Sequence, residues 1–89
     1  MRFRRSNLEI CANILGAIAE ERGVPKTQIM YRANISFQQL KKFLRLLLEL
    51  NLIKEVKKED RVTYEITEKG RMLLDSYQRV KELMTKTEK

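Results

Sequence analysis

Charge and amide groups are the reactive inventory of this chain, because the usual catalytic side chains are scarce. The sequence has no His and a single Cys, which removes His-dependent catalysis, disulfide frameworks and the common zinc ligand sets. It offers no Gly-rich phosphate loop and no paired carboxylates in an apolar setting. Glu20-Glu21 and Glu59-Asp60 read as surface pairs beside cations. No enzymatic activity, cofactor, metal or small-molecule substrate is expected. What remains is basic: 19 Lys and Arg against 12 Asp and Glu give a formal charge of +7, which favours polyanionic partners. Between positions 22 and 48 the cations are Arg22, Lys26, Arg32, Lys41, Lys42 and Arg45, with no acid among them.

Spacing sharpens this. At about 100° per residue, Gln38, Lys42, Arg45 and Glu49 share one side of a helix, opposite Leu40, Phe43, Leu44, Leu47 and Leu50. Arg and Lys can pair with guanine acceptors, Gln with adenine, and all of them reach phosphates. A helix bearing Ser36, Gln38, Gln39, Lys41, Lys42 and Arg45 therefore has the chemistry to read a DNA major groove. A cationic helix face is equally compatible with plain solvation, so the surrounding elements have to decide. Lys57, Lys58 and Arg61 cluster further along and would suit flanking phosphate or minor groove. Lys26 and Thr27 would meet a phosphate if they open a helix, Tyr31 and Arg32 would be secondary contacts, and Arg2, Arg4 and Arg5 form a basic N-terminal arm.

The elements that would position these residues follow from capping and periodicity. Ser6 with Glu9 is a capping-box pattern opening a first helix, in which Leu8, Cys11, Ile14, Leu15, Ile18 and Ala19 share a face. Gly23 is expected to stop it and Pro25 to prevent its continuation. Gly16, unfavourable within a helix, is expected to permit a close helix contact. Cys11 reads as an inert core thiol. A short second helix fits residues 26–33, with Ile29 and Met30 inward and Asn34 able to end it in left-handed geometry. Ser36 and Gln39 form a second box opening a third helix to Leu50. Two helices joined by Asn34, Ile35 and Ser36 have the spacing of a helix-turn-helix. Strands are expected over 52–57 and 61–66, where Val62, Tyr64 and Ile66 alternate with Thr63 and Glu65, joined by a polar tip at 57–61. Thr67 can cap a last helix in which Leu73, Tyr77, Val80 and Met84 recur at heptad a/d spacing.

A chain of 89 residues with 43% hydrophobic residues makes one domain with a small core, burying only about 60% of its unfolded surface. The expected class is mostly α with a β-hairpin, a winged helix-turn-helix plus a C-terminal dimerisation helix. It divides into a basic arm (1–5), the winged domain (6–66) and the C-terminal helix (67–89). Arg2, Arg4 and Arg5 before an apolar stretch imitate an export signal, but Glu9 and Asn13 interrupt it and its apolar positions keep a helical period. No stretch approaches the roughly 18 apolar residues of a membrane span. The expected setting is cytoplasmic and nucleoid-associated, without membrane contact.

The segments Leu8-Glu9-Ile10, Thr27-Gln28-Ile29-Met30-Tyr31, Asn34-Ile35-Ser36, Leu50-Asn51-Leu52-Ile53 and Tyr64-Glu65-Ile66-Thr67-Glu68-Lys69-Gly70 closely resemble small archaeal winged-helix proteins. That family includes ten-kilodalton chromatin-associated DNA-binding proteins and related transcriptional regulators. The resemblance implies double-stranded DNA as partner and a homodimer through an antiparallel C-terminal coiled coil. Asn51 stands where relatives often have Gly, and residues 67–89 give a shorter last helix than the chromatin proteins have.

Two functional classes compete. The first is DNA binding by a dimer, with the third helix in the major groove and the 57–61 wing on the backbone. The second is a winged helix used as a protein-interaction module without DNA binding, since fold alone licenses neither. The expected exposed face of the third helix, with Gln38, Lys42 and Arg45 and no aromatic anchor, favours DNA. RNA fits less well, because a rigid helix cannot enter the narrow A-form major groove.

Overall fold

A computed structural model describes residues 6–87. The elements run α1 (Asn7–Ala19), α2 (Lys26–Ala33), α3 (Phe37–Glu49), β1 (Ile53–Lys58), β2 (Arg61–Ile66) and α4 (Glu68–Thr87). This is the winged-helix architecture expected from the pattern. Ile14, Leu15 and Ile18 of α1, Ile29 of α2, and Leu40 and Leu47 of α3 are almost entirely buried, and Leu74 of α4 joins the same core. Leu73 and Tyr77 pack partly against it, so the first half of α4 is built into the winged domain.

The turns are set by asparagines in left-handed geometry. Asn34 (φ 56°) closes α2 and Asn51 (φ 62°) follows α3. After α2, the Ile35 N–H donates to Met30 O and the Asn34 N–H to Tyr31 O, both at 3.3 Å. After α3, the Leu52 N–H donates to Leu47 O at 2.9 Å and the Asn51 N–H to Leu48 O at 3.1 Å. Both sets are Schellman closures, which satisfy the last helical carbonyls and drive the following apolar residue back onto the helix. Ile35 and Leu52 are accordingly buried.

The hairpin pairs Ile53 with Ile66 and continues in register to Lys58 with Arg61. Its tip is tighter than expected: the ladder runs one residue further and only Glu59 and Asp60 turn the chain, with Glu59 at φ 54°. A feature without a local signature adds a third strand-like segment. Val24, between α1 and α2, exchanges two backbone hydrogen bonds of 2.9 Å with Tyr64.

Several expectations are corrected. α1 ends at Ala19, and Gly23 (φ 69°) instead bends the chain into the Val24 bridge. The Ser6 box is one-sided: Ser6 Oγ accepts from the Glu9 N–H at 3.0 Å, whereas at Ser36 both halves are present. Leu8 and Leu50 are exposed rather than core, because Leu8 sits in the first turn of α1 and Leu50 lies past the last turn of α3. Gly16 makes no close helix contact: a Cβ there would meet nothing within 4 Å. The close approach is at Gly70, where a Cβ would overlap the Leu52 carbonyl oxygen.

These two glycines give opposite expectations. Gly16→Ala should stabilise the fold by about 1 kcal/mol through helix propensity alone. Gly70→Ala should destabilise it by about 1–3 kcal/mol through overpacking against backbone. Thermal melts of the two variants check both signs, and a gain at Gly70 would contradict the packing described.

Candidate nucleic-acid interface

The Ser36 box fixes where α3 begins. Ser36 Oγ accepts from the Gln39 N–H at 3.1 Å, and Gln39 Oε1 accepts from the Ser36 N–H at 3.1 Å and from the Ser36 hydroxyl at 3.4 Å. Both side chains are thus engaged in starting the helix, and their oxygens are committed there. With the start fixed and Leu40, Phe43, Leu44 and Leu47 buried, the outward residues follow. Gln38, Lys41, Lys42 and Arg45 are all exposed and fall within about 100° of arc.

These four line an open groove together with Lys26 of α2. Glu49 and Glu55 lie among its walls with Leu44, Leu48 and Tyr64. Glu55 is held by Tyr64, opposite it in the hairpin, whose hydroxyl donates to Glu55 Oε2 at 3.4 Å. Burial and the Glu55 charge push the Tyr64 phenol above its ordinary range, so it remains a neutral donor. The groove is therefore polarised: cations and an amide from α2 and most of α3, carboxylates from the end of α3 and the hairpin. A polyanion would be drawn to the first part and repelled from the second.

Two of the α3 cations lie near aromatic rings. The Lys41 ammonium lies 5.6 Å from the centroid of Phe37, and that of Lys42 lies 5.4 Å from Phe43. Phe37 is 54% exposed, at the first position of α3. The exposed face of α3 thus does carry an aromatic group, contrary to the sequence expectation. The signal was present, because Ser36 as cap puts Phe37 one turn before Lys41 on the same side.

Lys26 and Thr27 are exposed at the start of α2, which Pro25 precedes without a side-chain cap. Lys57, Lys58 and Arg61 are exposed at the hairpin end. Strand alternation divides them: Lys57 shares a face with Glu55, and Lys58 and Arg61 stand opposite each other on the other face. The adjacent Glu59 and Asp60 offset most of the charge at the tip. Arg32 does not face this groove. Its guanidinium pairs with Glu20 at 3.1 Å and Glu21 at 2.7 Å and donates to Ala17 O at 3.3 Å, so its charge is neutralised within the fold. Arg4 and Arg5 lie outside the described residues. Cys11 is buried, and burial raises its thiol above the ordinary value, as suits a core residue.

A second surface lies on α4. Leu73, Tyr77, Val80 and Met84 line one shallow apolar cleft with Leu8 of α1. Leu73 and Tyr77 are half-buried, whereas Val80 and Met84 are 58% and 60% exposed. Leu8, assigned to the core from the sequence, belongs to this cleft. Among the described residues no helix is long and apolar enough to cross a membrane, and no group of His, Cys, Asp and Glu could hold a metal ion.

A family model described as winged helix-turn-helix matches residues 4–85. An uncharacterised protein of Methanocaldococcus jannaschii is 34% identical over 83 residues, spanning 93% of this chain and 80% of that protein. Among solved structures, the chain is similar to Sso10a-2, a DNA-binding protein from Sulfolobus solfataricus. That likeness has a TM-score of 0.77 at 28% identity and covers 94% of this chain and 90% of the other. The Staphylococcus aureus MepR in its DNA complex gives a TM-score of 0.73, covering 93% of this chain and 69% of MepR. At 19% identity, it shows the fold alone.

The groove distinguishes cations that otherwise look alike. Lys42→Ala or Arg45→Ala should each weaken binding to duplex DNA by about 1–3 kcal/mol if a base contact is lost, and less if only a phosphate contact is. Arg32→Ala and Arg79→Ala should have little effect, the first being internally paired and the second exposed on α4 away from its apolar stripe. Electrophoretic shift titrations would show the difference, and equal losses at Lys42 and Arg79 would mean that the charge acts diffusely.

Proposed function

Because the chain belongs to the winged helix-turn-helix family, we propose that it is a double-stranded DNA-binding protein, a transcriptional regulator or chromatin component, acting as a homodimer. α3 lies in the major groove, Lys26 and Thr27 meet a phosphate at the start of α2, and Lys57, Lys58 and Arg61 run along the flanking backbone. The observation that carries this reading is the single cationic and amide face of Gln38, Lys41, Lys42 and Arg45, in one groove with Lys26. The likeness to Sso10a-2, a DNA-binding protein, supports it. No catalytic role is assigned.

The dimer rests on α4. Leu74 is its last buried residue among those described, and Val80 and Met84 lie about 9 and 15 Å beyond it at 1.5 Å per residue. The apolar stripe therefore continues, exposed, along α4 beside Leu8 of α1, in a molecule 50 × 30 × 21 Å in extent. Pairing with the same stripe of a second copy is self-complementary and lets two α3 helices engage successive major grooves.

Affinity for arbitrary duplex DNA should be measurable at low salt and fall steeply as salt rises, because counterion release supplies most of it. The same titration on Val80→Glu/Met84→Lys, which breaks the stripe but adds a favourable i,i+4 pair to the helix, should show weaker binding by a monomer in sedimentation. Salt-indifferent or absent binding contradicts the DNA reading. A wild-type monomer at tens of micromolar contradicts the dimer alone.

A further inference from the structure

Phe37 is the one exposed aromatic residue of α3 among the described residues, and the core does not use it. It is absent from the buried cluster and from the partly buried side chains packed against it. More than half of its surface is open, on a helix whose remaining exposed residues are almost all polar or charged. The Lys41 ammonium sits 5.6 Å from its centroid, within the range of a cation–π contact. Lys41 itself lines the groove. Phe37 thus stands one turn before Lys41 at the N-terminal end of α3, outside the groove lining but next to it.

That position matters, because the first residues of a recognition helix are the ones that reach base edges. In the major groove an A·T pair presents an acceptor and a donor on adenine and a 5-methyl group on thymine, whereas cytosine has no methyl group. Gln38 carries the amide that pairs bidentately with adenine, and an exposed benzyl group is a partner for the methyl. We propose that Phe37 contacts thymine 5-methyl groups in the major groove and, with Gln38, biases the protein toward A·T base pairs. This rests on the DNA-binding reading above and adds the base class that is read.

The test removes the methyl and leaves the protein intact. Affinity of the full chain would be measured for a short alternating A·T duplex and for the same duplex with deoxyuridine replacing every thymidine. An alternating G·C duplex with and without 5-methylcytosine would be compared in parallel. Each buried methyl contact should contribute about fourfold in affinity, so the uridine duplex binds more weakly and 5-methylcytosine restores part of the difference. Phe37→Ala should bind the thymidine and uridine duplexes alike while melting as the parent does. Equal binding of both duplexes by the unaltered protein overturns the inference but leaves DNA binding standing. So does a thymidine preference retained in Phe37→Ala. If Phe37→Ala loses a protein partner with methyl discrimination unchanged, the residue is a docking anchor and the inference fails. Failure to bind any duplex at low salt overturns the DNA reading along with it.

Discussion

The relation between α3 and the hairpin depends on a set of hydrogen bonds around Asn51 and Leu52. The Leu52 N–H closes α3 onto Leu47 O, and Leu52 O accepts from the Thr67 N–H at 3.0 Å. Thr67 Oγ1 donates to Asn51 O at 2.7 Å and accepts from the Gly70 N–H at 3.0 Å. The end of α3, the base of the hairpin and the first turn of α4 therefore share one junction. Gly70 belongs there because no side chain fits against the Leu52 carbonyl. From the other side, the Val24–Tyr64 bridge stitches the α1–α2 connection to β2. In so small a domain, these backbone bonds do what a larger core would otherwise do: they hold two surface elements at a fixed angle.

The charge distribution follows the same plan. Cations lie where α2 and the first three turns of α3 meet the groove, while carboxylates occupy its hairpin side through Glu49 and Glu55. Arg32, within the acid-free part of the sequence, is withdrawn to Glu20 and Glu21. The 19 Lys and Arg thus include both groove residues and internally paired ones, and a count of basic residues does not separate the two.

Where local rules determined the outcome, the sequence was legible. Ser36 with Gln39, the two asparagines after α2 and α3, and Thr67 before α4 each act within a few residues, and each appears as expected. The face of Gln38, Lys42 and Arg45 followed from the period of Leu40, Phe43, Leu44 and Leu47. Long-range geometry was not legible. The Val24 bridge joins residues forty positions apart, Gly70 is required by a carbonyl from β1's approach, and Arg32 finds acids on the end of α1. Phe37 was missed for a different reason. It falls between the leucine stripe and the cationic face, so the period alone assigns it to neither, although the Ser36 cap already puts it at the helix entrance.

Entry of the exposed face of α3 into the major groove would leave a chemical footprint. Dimethyl sulfate probes this directly, since it methylates guanine N7 in the major groove and adenine N3 in the minor groove. On a mixed-sequence duplex bound by the protein, guanine N7 should be protected in two patches about one helical turn, or ~10 base pairs, apart. Protection confined to adenine N3, or none at either atom while the complex is intact, would contradict the account.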